Sequence, residues 1–144
     1  MGTYFQRLKR GKVRWRVVNA EGLALGRVAA RAAQMLMGKD CSDYTPHEDH
    51  REGVIVVNSE KVVLTGRKLD SKVYRHHTGY PGGLKEVAAR KIMETKPQQM
   101  LREAIRGMLP KTRIGDQVAR RLRVYAGPVH PHSVQKPEEA HLNH

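Results

Sequence analysis

The sequence predicts an α/β domain, a small, mostly parallel sheet covered on both faces, with basic extensions at its ends; three observations lead there. Strand-like and helix-like runs alternate along the chain, the pattern that lays helices over a parallel sheet. Val54–Val57 is wholly apolar and β-branched, the signature of a strand buried on both faces. One Trp, one Phe and five Tyr leave Val, Leu, Ile, Met and Ala to build the core, a composition suited to helices packed on a small sheet. A chain of 144 residues fits one domain, since domains commonly run about 100–150 residues.

Residues 7–16 hold Arg7, Lys9, Arg10, Lys12, Arg14 and Arg16 without an acid, and Gly11 interrupts any helix, so residues 1–13 read as a basic arm. Trp15–Val18 is aromatic and β-branched and runs into turn residues Asn19 and Gly22, which marks a first strand. Leu25, Val28, Ala29, Ala32, Met35 and Leu36 then recur at spacings of three and four, with Arg27, Arg31 and Gln34 opposite and Gly38 as a helix stop. Residues 39–53 are polar, contain Pro46 and carry Asp40, Asp43, Glu48, Asp49 and Glu52, so a long loop is expected before the apolar strand Val54–Val57. Asn58–Glu60 turns the chain into an expected short strand, Val62–Leu64, closed by Thr65 and Gly66.

Lys72–His77 is extended with weak alternation. After the glycine-rich loop, Leu84, Val87, Ala88 and Ile92 trace a helical stripe. Pro97 opens another helix, lined by Met100, Leu101, Ala104, Ile105 and Met108; proline is tolerated in a first turn because its missing N–H has no partner there. Pro110 ends that unit, and Ile114, Val118 and Leu122 mark a last short helix running into a final strand, Val124–Ala126. Without an internal repeat or a linker, residues 14–127 are expected to form a single domain, followed by a Pro- and His-rich tail over 128–144.

Charge narrows the function. There are 27 Lys and Arg against 14 Asp and Glu, a net charge of +13 that argues for polyanionic partners, nucleic acid first and an anionic membrane second. No apolar run approaches the roughly 20 residues that span a bilayer, and the first residues lack the apolar core of a signal peptide, so a soluble intracellular protein with no membrane partner is expected. A single cysteine excludes a disulfide framework and any Cys-x-x-Cys motif.

Enzyme chemistry is incomplete at each point where it could begin. A phosphate-binding loop counted from Gly79 needs Gly where Leu84 stands and a hydroxyl where Glu86 stands. His47-Glu48-Asp49-His50 is one residue too short for the zinc motif His-Glu-x-x-His, and adjacent His76 and His77 would point apart on a strand. Cys41 lies between Asp40 and Ser42 with Asp43 beyond, where negative charge discourages a thiolate. A nucleotide- or metal-dependent hydrolase therefore lacks a constellation, and no catalytic residue, metal ligand, cofactor or small-molecule substrate is expected.

RNA suits the remaining features. Cations cluster in the arm, at Lys61, Arg67, Lys68, Lys72, Arg75 and Lys85, and at Lys111, Arg113, Arg120, Arg121 and Arg123, where they could neutralise phosphates with counterion release. In the stretch HHTGYPGGLK, glycines let a backbone approach closely, and Tyr80 or His76 can stack on an unpaired base.

The blocks WRVVNAEGLALGRVAARAA, DYTPHED, VIVVNSEKVVLTGRK, KVYRHHTGYPGGLK, RGMLPK and LRVYAGPVHPH occur in the order seen in the bacterial-type large-subunit ribosomal protein L-thirteen family, which the chain resembles from about Trp15 to Pro137. The resemblance implies an α/β/α domain with a four-stranded parallel sheet, no catalysis, and direct binding of large-subunit rRNA early in assembly. Neighbouring large-subunit proteins are implied partners, in the cytoplasm or in an organelle's ribosome, and messenger RNA is a further partner if the chain also acts as a regulator off the ribosome. His76, His77, Thr78, Gly79, Tyr80, Gly82, Gly83 and Lys85 match the family's most distinctive loop. Lys111, in the block Gly107–Lys111, matches an RNA contact, with Met108 and Leu109 as packing; Arg120, Arg121, Arg123 and Tyr125 fall on a third block. Arg7, Lys9, Arg10, Lys12, Arg67, Lys68, Lys72 and Arg113 complete the expected RNA-binding set. Thr112, Asp116 and Asp40 depart from the family pattern, which usually has Gly in the first place, a basic residue in the second and a basic residue or His in the third.

Deleting residues 1–13 should weaken RNA affinity and flatten its salt dependence while leaving the circular dichroism of the folded domain unchanged, because the arm carries charge and little core. An unfolded truncation contradicts this reading.

Overall fold

The chain, a computed structural model describing residues 2–5, 7 and 11–142, orders its elements around one parallel sheet. Arg14–Asn19 is β1, Leu25–Met37 is α1 and Glu52–Val57 is β2, a βαβ unit in which α1 supplies the crossover that parallel strands require. α1 ends where the sequence places its stop: Gly38 has φ +75, its N–H donates to Met35 O, and the Lys39 N–H donates to Gln34 O. This double bond satisfies carbonyls that the helix end would otherwise leave open.

The chain then leaves the sheet. A short helix α2, Lys68–Ser71, precedes the antiparallel strands β3, Val73–His77, and β4, Leu84–Ala88, which form a separate hairpin. Helices α3, Ala89–Thr95, and α4, Pro97–Met108, return the chain to the core, and α5, Arg113–Ala119, leads into β5, Leu122–Val124. Finally β6, Glu138–Ala140, pairs with β1, giving the sheet order β5-β2-β1-β6 with every pairing parallel.

The two faces of the sheet are covered differently. Val18, Val54, Val56, Leu122 and Val124 face the buried sides of α1 and α4, where Met35, Leu36, Leu101 and Ile105 are buried. Burying each such side chain contributes about 1.5–3 kcal/mol. β5 and β6 lie at opposite edges of the sheet, so residues 125–137 must cross β2 and β1, about 14 Å of sheet at the usual strand spacing. They cross on the other face, where the His132 ring stacks on Trp15 at 6.0 Å and Tyr125 Oη lies 2.5 Å from His132 Nε2. This crossing segment, with its 3₁₀ turn Ser133–Gln135, is the third layer of the α/β domain.

Four expectations change. Val62–Leu64 is not a strand: Val63 makes only an isolated bridge to Ala24 in the loop before α1, because that partner is itself irregular and no ladder can extend. The fourth strand instead comes from the Pro- and His-rich stretch, at Glu138–Ala140. Leu84, Val87 and Ala88 belong to β4 and not to a helix, since Val87 pairs with Tyr74 and Ala88 with Val73; only from Ala89 does the chain turn helical. Leu122 lies in β5 beyond the end of α5.

A buried ion pair stands at the start of β2. Arg16, 7% exposed, donates from Nη2 to Glu52 Oε2 at 2.9 Å and also bonds Asp40; Glu52 is 5% exposed. Asp40 is thus a half-buried counter-ion for Arg16. Burial pulls the Asp40 carboxyl upward, but the Arg16 hydrogen bond and charge outweigh it and hold the group below its ordinary value.

A carboxyl whose pKa falls on folding stabilises the protein fully above its unfolded value, about 3.9, and that contribution is lost as pH falls through the lower folded value. Asp40→Asn should therefore cost about 1.5–3 kcal/mol at pH 7, and urea unfolding should show the gap to wild type holding down to about pH 4 and closing below it. A gap that widens on acidification contradicts the assignment.

Candidate nucleic-acid interface

The hairpin is held by its own backbone. Gly83 N–H donates to Tyr80 O at 2.9 Å, closing a turn with Pro81 first and Gly82, φ +70, second; a type II turn demands that arrangement. Thr78 N–H donates to Gly83 O at 3.0 Å, and Gly79 N–H donates to His77 Nδ1 at 2.9 Å. The last bond leaves His77 Nε2 to carry the proton of the neutral ring. Gly83 cannot take a side chain, because a Cβ there would lie 2.0 Å from Thr78 Oγ1 and 2.8 Å from Tyr80 O. The glycines of this loop thus shape a turn first, and any close approach of another backbone comes second.

What the turn presents is polar and open. Tyr80 is 76% exposed and Leu84 55%, and His76 stands opposite Lys85 across the strands. His76, His77, Thr78, Gly79, Tyr80, Gly82 and Lys85 are exposed and share one hairpin. Nearby, Arg75 is neutralised by Glu86 at 2.7 Å, and Lys72 Nζ sits 5.2 Å from the Tyr74 ring centroid. Arg67 and Lys68 are exposed at the start of α2, which packs on α3 and is tied to it by the Arg90–Asp70 ion pair. Between the hairpin and α3–α4 opens a cleft of about 470 Å³ whose rim includes Lys91 and Lys96, two cations outside the expected set.

Other expected residues have internal duties. Lys111 Nζ lies 3.4 Å from the carbonyls of Arg106 and Gly107 and caps the end of α4, the usual service of a cation at a helix C-terminus. Arg121 bonds both carboxylate oxygens of Asp49 and donates to Glu52 O at 2.9 Å, so its guanidinium holds the acidic loop to β2. Arg123 donates to Arg120 O at 2.8 Å and to Leu122 O at 3.3 Å, beside the free edge of β5. Arg113 and Arg120 are exposed at the two ends of α5. Of the Met108–Leu109 pair expected to pack, only Leu109 is buried; Met108 is 44% exposed.

The described arm residues lie elsewhere than the hairpin. Arg7 and Lys12 line an open cleft of about 740 Å³ with Asp43, Glu48 and Asp49 of the acidic loop. Phe5 stacks on His47 at 4.6 Å, and Gly11 O accepts from Arg51 at 2.8 Å. Lys9 and Arg10 lie outside the described residues.

One further set bears on metal chemistry: Cys41, Asp43 and His50 bring potential ligand atoms within 4.8 Å of one another. The set does not fit a resident metal. His50 Nε2 accepts the Thr45 N–H at 3.2 Å, which leaves the ring proton on Nδ1, 3.8 Å from Asp43, so both nitrogens are committed. Burial, then Glu52 and Asp40, push the Cys41 thiol above its ordinary value, which opposes the thiolate a metal needs. Among the described residues, no helix is long and apolar enough to cross a membrane.

Comparison with known proteins agrees with the order of motifs. The family model described as Ribosomal protein L13 matches residues 13–131. The chain is 50% identical over 139 residues to the large ribosomal subunit protein uL13 of Thermoanaerobacter sp. (strain X514), covering 96% of this chain and 97% of that one. It is 49% identical over 138 residues to the protein of the same name from Rubrobacter xylanophilus, covering 96% of each. The Thermotoga maritima protein of that name is 54% identical over 129 residues, 90% of this chain and 87% of that one.

Gly83→Ala should loosen the hairpin alone, by about 1–3 kcal/mol, seen as faster amide exchange across residues 73–88 while β1 and β2 stay protected. Unchanged exchange in the hairpin contradicts the turn geometry.

Proposed function

The chain belongs to the Ribosomal protein L13 family, and from that premise we propose that it is a structural constituent of the large ribosomal subunit that binds the subunit's RNA directly and supports early assembly. The hairpin carries this reading: a turn rigidified by its own hydrogen bonds presents Tyr80, His76, His77 and Lys85 to solvent, and none of the four is ion-paired to a carboxylate among the described residues. Folded RNA is recognised through irregular single-stranded elements whose bases stack on aromatic side chains, while cations hold the phosphates. A pre-formed turn loses little entropy on binding, so its stacking and phosphate contacts convert more fully into affinity.

The roles divide accordingly. Tyr80 and His76 offer rings to unstacked bases, and the His77 Nε2–H is an outward donor. Lys85 on β4, and Arg67, Lys68 and Lys72 ahead of β3, meet phosphates. The arm residues Arg7 and Lys12 add charge from another side of the domain, and neighbouring large-subunit proteins meet what RNA leaves uncovered. Arg121 is not assigned to RNA, because Asp49 already holds it. Messenger RNA is not carried forward as a partner, since the relatives' names are those of large-subunit proteins. Nor is catalysis assigned: Leu84 stands in a strand where a phosphate loop needs glycine.

Filter binding of the full chain to large-subunit rRNA fragments across a salt series tests the reading. Tight binding that falls steeply with salt is expected; weak, salt-insensitive binding overturns it. Tyr80→Ala should lower affinity about tenfold, the low end of a lost base–aromatic stack, with an unaltered salt slope. Gly82→Val is a poorer probe, because φ +70 strains any side chain there before RNA is met.

A further inference from the structure

Arginine is sorted in this domain. Arg14 pairs with Glu138, Arg16 with Asp40 and Glu52, Arg75 with Glu86, Arg90 with Asp70 and Arg121 with Asp49. Arg27, Arg67, Arg113, Arg102, Arg106 and Arg120 have no ion pair or hydrogen bond from their guanidiniums among the described residues, and of these Arg102, Arg106 and Arg120 converge on one notch of about 370 Å³ on the surface between α4 and the α5–β5 junction. Arg102 and Arg106 lie one turn apart on α4, and Arg120 follows the last turn of α5. Asp116 also lines the notch but lies beyond ion-pair distance of each. Three like charges facing one opening repel one another, and the single carboxylate in the notch, Asp116, offsets that repulsion only in part.

We propose that this notch is a phosphate clamp in which Arg102, Arg106 and Arg120 grip successive phosphodiesters of one RNA strand. The proposal rests on the rRNA-binding reading and adds to it a second site, built from two elements that the hairpin does not include. Arginine's planar fork matches phosphate oxygens bidentately, and two forks one helical turn apart, roughly 5–6 Å between their Cβ atoms, suit neighbouring phosphates along a strand. An acidic protein segment fits less well, because protein interfaces anchor on buried aromatic or aliphatic pockets and here the notch offers only Ala119 and the buried Leu122. Asp116, a carboxylate in the same notch, tempers the clamp from within.

The test is filter binding of the full-length protein to a large-subunit rRNA fragment over a potassium chloride series. Arg102→Gln combined with Arg106→Gln should lower affinity at least tenfold near physiological salt and reduce the slope of log K against log salt by about 1.4–1.8, the release expected for two lost phosphate contacts. Asp116→Asn should raise affinity severalfold. A control of equal charge change outside the notch, Arg27→Gln with Lys39→Gln, should do less than half as much as the arginine pair. If wild type binds steeply but the two double variants behave alike, the clamp is overturned and the rRNA reading stands. If wild type binds weakly and without salt dependence, the rRNA reading fails and the clamp with it. Polyglutamate binding more tightly than RNA, with affinity lost in the arginine variant, would reassign the notch to an acidic protein.

Discussion

β2 has no exposed face. All six of its residues are buried, and a strand in that position must be covered above and below while its neighbours supply hydrogen bonds on both edges. The helices α1 and α4 meet one side of that requirement; the crossing segment 125–137, through His132 over Trp15, meets the other. The strand's own composition makes this close packing feasible. Gly53 lies under the Trp15 indole, where a Cβ would come within 2.6 Å of the ring. Glu52, the charged member of the strand, is tolerated because Arg16 neutralises it and donates to it.

The same ion pair links the sheet to the loop that follows α1. Arg16 bonds Asp40 just past the helix end, and Arg121 bonds Asp49 further along the loop and the Glu52 carbonyl on β2. Two arginines therefore pin a polar stretch that has almost no apolar anchor of its own. A chain of net charge +13 thus divides its cations into those that close the fold and those that face solvent. That division, more than the overall charge, leaves unpaired cations on the hairpin on one side and around the α4–α5 notch on another.

Much of the candidate site is legible in the chain alone. The HHTGYPGGLK stretch reads as a recognition loop, and the fold places its exposed residues together on one hairpin. What misled was its second arm: Leu84, Val87 and Ala88 have helical spacing, yet Tyr80-Pro81-Gly82-Gly83 is a type II turn signal that brings Val87 back beside Tyr74. Arg102 and Arg106 carry no separate signal in the sequence, because they sit on the polar side of a helix whose spacing marks only its apolar stripe. Arg121 looks like a free cation in the sequence, which cannot show that Asp49, 72 positions earlier, faces it.

By itself the sequence determined the α/β class, the span of α1 with its glycine stop, the doubly covered strand and the turn chemistry of the loop. Each follows from local spacing and backbone preference, which act within a few residues. Only the tertiary structure decided that Glu138–Ala140 completes the sheet, that Val62–Leu64 does not, and which arginines are neutralised. Those outcomes depend on pairings between residues far apart in the chain, where a strand needs a neighbour with a free edge and a charge needs a counter-ion within a few ångströms.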